Sequence, residues 1–108
     1  MAQDFTRHAV QATTSNVTVF TSNSNDAVIG IRIANITAAA ITVSVIVSVG
    51  GSTTRYIVKD LSIPPASSAE LIQGGAKFVM QSSDVLKVIA SASNCAHVYV
   101  SVVDAISA

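Results

Sequence analysis

The chain has 108 residues, enough for one hydrophobic core and too few for two. Hydrophobic residues make up 50% of it and charged residues only 11%, against the ~25% usual in a soluble domain, and much of the remainder is Ser, Thr and Ala. Lys plus Arg is 6 and Asp plus Glu is 6, so no net field draws in nucleic acid, an anionic membrane or an acidic substrate.

The chain opens Met1, Ala2, Gln3, Asp4. That start lacks the basic residues of a secretory signal, so export by the common route is not expected. Residues 4–12 read as a strand, and residues 1–12 also suit an extended arm. Residues 17–21 read as a short second strand, and the polar run 22–26 as a loop. In 28–35, Ile29, Ile31 and Ile33 share one face and Gly30, Arg32 and Ala34 the other, with Gly30 marking the close approach of a neighbour. In 41–49 the odd positions are all branched aliphatics, Ile41, Val43, Val45, Val47 and Val49. Thr42, Ser44 and Ser48 sit between them, with Ile46 as the exception, which is the pattern of a strand with one buried face. Gly50 and Gly51 supply the positive φ angles of a two-residue hairpin turn, so residues 53–59 should return as the antiparallel partner.

Pro64 and Pro65 cannot donate to a ladder, which makes 61–66 a connection or an edge, and Gly74 with Gly75 marks a further reversal. Residues 77–81 and 85–91 flank the turn composition Ser82-Ser83-Asp84, and 97–104 alternates with Val98, Val100 and Val102 on one side. These last three segments are expected to form a meander.

β-branched residues crowd most of the chain and no window carries a capped 3.6-residue stripe, so little or no helix is expected. About eight short strands with regular turn signals describe an all-β fold, an antiparallel β-sandwich of jelly-roll or immunoglobulin-like type, in one domain over residues 1–108. The apolar runs 29–33 and 41–49 fall well short of the ~20 residues of a membrane-spanning helix.

Nothing in the chain reads as catalytic machinery. A nucleophilic hydroxyl needs a base and a group to orient it, and the only histidines, His8 and His97, lie in no motif. His97 alternates with Tyr99 opposite Val98 and Val100, which makes it a surface or interface residue, and His8 is read the same way. Cys95 is the only cysteine and reads as a small buried apolar residue; with His97 it makes two ligands, which are not a metal site. The acidic residues fall mainly at expected strand ends and turns, where Asp is common. Gly74-Gly75-Ala76-Lys77 lacks the spacing and the following helix of a phosphate loop. The Asn16-Val17-Thr18 and Asn35-Ile36-Thr37 sequons mean nothing without export. No catalytic residue, cofactor or metal is therefore expected, and the protein is expected not to be an enzyme.

The stretch from Tyr56 through Leu61-Ser-Ile-Pro-Pro-Ala-Ser-Ser68, Gln73-Gly-Gly-Ala-Lys77, Ser83-Asp84 and Leu86-Lys-Val88 resembles small virion structural proteins of tailed bacteriophages, including cyanophages. In that pattern a Pro-containing corner leads to a strand, then a Gly-Gly-x-Lys turn, a strand, a Gly-Asp or Ser-Asp turn, and another strand. The ending at 98–106 is similar, and Ser83 departs from the more usual glycine before the Asp. The resemblance covers about half the chain firmly and transfers no catalytic residue.

It implies a β-sandwich subunit of a virion, assembled in the host cytoplasm: a capsid decoration or cement protein docking as an oligomer, or a neck or tail/fibre accessory subunit. The implied partners are the chain itself, as a homo-oligomer with a trimer among the arrangements, and other virion proteins such as the major capsid protein, without nucleic acid or membrane. Candidate interface residues are Phe5, Arg7, His8, Tyr56, His97 and Tyr99, with the N-terminal segment lying on a neighbour as an added strand. A second reading is a carbohydrate-binding β-module stacking sugars on Tyr56, Tyr99 and Phe20, although aromatics total only 5% with no Trp.

Overall fold

Two-residue alternation carries through the chain, and the computed structural model, which describes residues 4–71 and 78–104, turns it into nine strands and, among the described residues, no helix. They are β1 (Asp4–Ala12), β2 (Val17–Thr21), β3 (Asp26–Asn35), β4 (Ile41–Val49), β5 (Thr53–Ile63), β6 (Ser68–Glu70), β7 (Phe78–Met80), β8 (Val85–Ala90) and β9 (Ala96–Asp104). One sheet has the order β1-β9-β3-β6, with β7 also on β3, and the other has the order β2-β8-β4-β5. All pairings are antiparallel.

The pairs nest. β4 with β5 is innermost, β3 with β6 and β7 encloses it, then β2 with β8, and β1 with β9 is outermost. In an immunoglobulin fold the first two strands share a sheet. Here every link from β1 to β4 changes sheet, which is the wiring of a jelly roll. The meander expected of the last three segments does not form: β7 lies on β3, β8 between β2 and β4, and β9 between β1 and β3. A short turn requires its flanking strands to be close but not paired, and in a two-layer fold the next strand can equally cross to the facing sheet.

The core lies between the layers. Val28, Ile31, Ile33, Val98, Val100 and Val102 point in from the first sheet and Val43, Val45, Val47, Leu86, Val88 and Ile63 from the second, all buried. β3 keeps its expected phase only from Ile31 onward. A bulge between Val28 and Gly30 inserts Ile29, so Val28 faces the core and Ile29 is half-buried. A Cβ on Gly30 would sit 3.8 Å from the Glu70 carboxylate and from Ser101 Cβ, ordinary contact, so no close approach demands this glycine.

The firmest local expectation, β4 returning as β5, holds, with a longer turn. Val49 pairs with Thr53, so the connection is Gly50, Gly51 and Ser52, with φ of 63° and 79° at the two glycines. β5 runs on to Ile63 as an edge strand and stops at Pro64. The expected reversal at Gly74 and Gly75 and the strand start at Lys77 lie outside the described residues.

The loops at one end of the sandwich are tied by Asp84. Its carboxylate accepts the Gly50 N–H at 2.9 Å and the Gln81 N–H at 3.0 Å, and its carbonyl accepts the Ser22 N–H at 2.8 Å. The preceding Ser83 has φ 78°, so serine occupies a left-handed position that suits glycine, and its side chain is exposed. Ser83→Gly is expected to raise stability by about 0.5–1 kcal/mol, read as a higher urea midpoint at unchanged slope.

Candidate functional site

Strand parity decides which side chains a partner can reach. On β1 and β9 the odd positions face outward, and the register aligns them into rows across the first sheet: Phe5 with Val103, Arg7 with Ser101, Ala9 with Tyr99 and Gln11 with His97. β3 continues the rows, placing Ala27 beside Val103, Arg32 beside Tyr99 and Ala34 beside His97, and β7 adds Val79 beside Ala27. One row is therefore apolar across four strands: Phe5, Val103, Ala27 and Val79. Its two ends are open, with Phe5 79% and Val79 58% exposed. Two rows away Tyr99 is 49% exposed beside Arg32, whose Nε lies 3.5 Å from Glu70 Oε1. That pair is exposed and contributes little to stability. Glu70 also accepts the Ile31 N–H at 3.2 Å, on β3 between the residues that pair with β6 and those that pair with β7.

Of the six residues proposed from sequence, Phe5, Arg7, His97 and Tyr99 thus share one face. His8 does not, because neighbours along a strand point to opposite sides. Its ring stacks on Phe20 of β2 with centroids 4.5 Å apart and planes 9° apart, joining the two sheets at their β1 and β2 margins. Tyr56 belongs to the other layer, on β5 opposite Ile46, with Lys59 Nζ 5.4 Å from its ring centroid. The three aromatics of the carbohydrate reading are scattered: Tyr56 and Tyr99 sit on different sheets and Phe20 is buried, against its expected exposure, because it packs under His8 and into the core.

A small cavity of about 110 Å³ opens beside the stack, lined by Thr6, His8, Phe20, Thr21, Asn23, Asp26 and Val102. The acid in its lining is engaged in a turn. The buried Asp26 carboxylate accepts Ser22 Oγ–H at 2.8 Å and Ser24 Oγ–H at 3.0 Å, turn chemistry that closes the β2–β3 loop. The volume is also well below the roughly 300–1,000 Å³ of a ligand pocket.

Cys95 is fully buried while His97 is exposed, so the two face different media and cannot ligate together. The native thiol is expected to resist a water-soluble disulfide reagent, its labelling rate rising only where urea begins to unfold the chain; fast labelling of the native state would contradict this burial.

Sequence reasoning passed over Asn35. Read as a sequon, it is buried at the end of β3, where its side-chain amide holds two loops of the other sheet. Its bonds to Thr37 and Ala39 are those of an ordinary local turn, while its partners Ile63 and Pro64, 28 and 29 residues away, leave no mark in the sequence.

No protein-family model matches the chain, and no curated protein matches it in sequence. Among solved structures it is similar to a chain of the Bacillus endospore appendages, a family of disulfide-linked pili, at 15% identity and a TM-score of 0.59, covering 98% of this chain and 88% of that one. A chain of the infectious bursal disease virus Gx strain is similar at 11% identity and a TM-score of 0.49, covering 98% of this chain and 32% of that one. At such identities the likeness speaks to fold alone.

Proposed function

We propose that the chain is a non-enzymatic structural subunit of a particle, and specifically a decoration or cement protein of a tailed-phage capsid that docks as an oligomer and stabilises the shell. The observation that carries this reading is the outer face of the first sheet, where an apolar row ends in a phenylalanine left 79% exposed on a chain with only 11% charged residues. Such a row costs free energy in water, and covering it with a partner stabilises the assembly by about 25 cal/mol per Å². Few charges stand in the way of close packing between copies.

The appendage chain with the same fold belongs to disulfide-linked pili, which supports the use of this sandwich as a building block. Here the linkage must be different. The lone cysteine is buried, so subunits are held by non-covalent burial repeated around a symmetric particle. Phe5, Arg7, His97 and Tyr99 are the residues that meet the neighbour, which is the major capsid protein or another copy.

The test is the mass and stoichiometry of the chain in purified particles, together with light scattering of the isolated protein. A copy number matching the capsid lattice supports decoration. A count near six or twelve moves the protein to the neck or tail, and absence from particles removes the reading.

A further inference from the structure

Four margins bound the two sheets, and three of them are blunted. β5 carries register shifts on both sides of Val45's partner, a left-handed Asp60 at φ 53°, and the charges Arg55, Lys59 and Asp60. β2 has 5 residues and shifts register between Thr18 and Phe20. Among the described residues β6 and β7 have 3 residues each and pair with separate stretches of β3. Bulges, charges and short strands are the devices that stop a sheet edge from templating another strand.

β1 is neither bulged nor short, and its formally charged residues are Asp4 and Arg7. Its 9 residues pair with β9 at every position from Asp4 to Ala12, without bulge or proline. Between Phe5 and Ala12 only Arg7 carries a formal charge. The backbone groups that alternate away from β9 meet no strand of this chain among the described residues, since β1 ends its sheet.

We propose that this edge is where two copies join, β1 pairing antiparallel with β1 of a second copy about a two-fold axis, so that the two first sheets become one continuous sheet. This inference rests on the reading of the chain as an assembly subunit and names the contact. The occupant follows from the edge itself: a strand that pairs along β1 must be long, unbulged and unpaired on one side, and β1 of another copy meets that description where the other described margins do not. An axis perpendicular to the sheet is self-complementary and closes after two copies. It also keeps Phe5, Arg7, Ala9 and Gln11 on the same outer face in both, so the two apolar rows lie on one surface.

Charge and size place the axis. Centred on Arg7 it would oppose two guanidinium groups, and centred on His8 two imidazoles. Centred on Ala9 it opposes Arg7 to Gln11 and puts the small methyl group at the axis.

The experiment uses the full chain carrying Arg7→Cys, Ala9→Cys, Gln11→Cys or, as a control on the blunted edge, Thr54→Cys, under mild oxidation and with light scattering on each. Directly opposed strand residues have Cβ atoms about 4.5–5.5 Å apart, close to disulfide range. Ala9→Cys is therefore expected to give mostly cross-linked dimer, while the control and the parent with its buried Cys95 stay uncross-linked. A second variant, Ala9→Lys, is expected to raise the dimer dissociation constant by about tenfold or more with an unchanged melting curve of the monomer.

A dimer that forms but cross-links at none of the three β1 positions, or equally well at Thr54→Cys, overturns this contact. So does a chain found in particles that stays monomeric alone at high concentration, and both results leave the structural role standing. Absence from particles defeats the role itself, while cross-linking through Ala9→Cys would still establish the contact.

Discussion

Asn35→Asp is expected to cost about 4 kcal/mol of folding stability and to lower the melting temperature by roughly 20 °C, more than Asn35→Ala does. Asn35 is 3% exposed, and its amide nitrogen donates to the carbonyl oxygens of Ala39 at 2.8 Å, Pro64 at 3.0 Å and Ile63 at 3.1 Å. Its Oδ1 accepts from Thr37 N–H at 2.9 Å and Thr37 Oγ–H at 2.7 Å. One side chain on the first sheet thus fixes the entry to β4 and the exit of β5 on the second. Alanine strands these carbonyls and Thr37, at about 1–3 kcal/mol for each group left buried and unpaired. Aspartate keeps the bonds to Thr37 but replaces the donor by a buried anionic oxygen facing three carbonyl oxygens, which is worse.

The sign of the pH effect follows. The new carboxyl would be harder to ionise in the folded state than in the unfolded one, so its folded pKa is raised and the penalty shrinks as pH falls through that value. Urea melts of the parent and both variants near pH 7 and pH 5 check this. An aspartate variant as stable as the parent, or equally destabilised at both pH values, would contradict it.

Much of the fold is legible in the sequence because it rests on a local property, the alternation of side chains. Val43, Val45 and Val47 declare the buried face of β4 unaided, and the strands of 28–35, 85–91 and 97–104 are found within about two residues of where they lie. Pairing is another matter. β4 and β5 meet because Gly50 to Ser52 leaves them no alternative, while β1 finds β9 across almost the whole chain and no residue in either announces it. The site was half legible for the same reason. The segment read alone groups Arg7 with His8, yet strand parity allows only one of them to face out, and grouping Phe5 and Arg7 with His97 and Tyr99 needs the β1–β9 register. Asn35 and Asp84 resemble a chance sequon and an ordinary turn residue until their distant partners are known.

Leu86→Ala and Ile46→Ala separate burial in the core from burial on the surface. Leu86 is 0% exposed and Ile46 6%, so exposure alone ranks them together. Leu86 lies on β8, held on both sides by β2 and β4 in register with Phe20 and Val47, and belongs to the core between the sheets. Strands tied on both sides cannot collapse into the space a leucine leaves, so the substitution is expected to cost about 3–4 kcal/mol, transfer and cavity terms together. Ile46 instead points out of the sandwich, covered by its neighbours in register, Tyr56 and Lys87. Those long side chains can fold over the gap and water can enter it, so Ile46→Ala is expected to cost only about 1 kcal/mol. Chemical denaturation of the two variants side by side measures the difference. Equal losses would mean that Tyr56 and Lys87 are fixed over Ile46 as firmly as core residues, which would make the outer face of the second sheet a packed surface in its own right and a competitor to the Phe5 face for the partner.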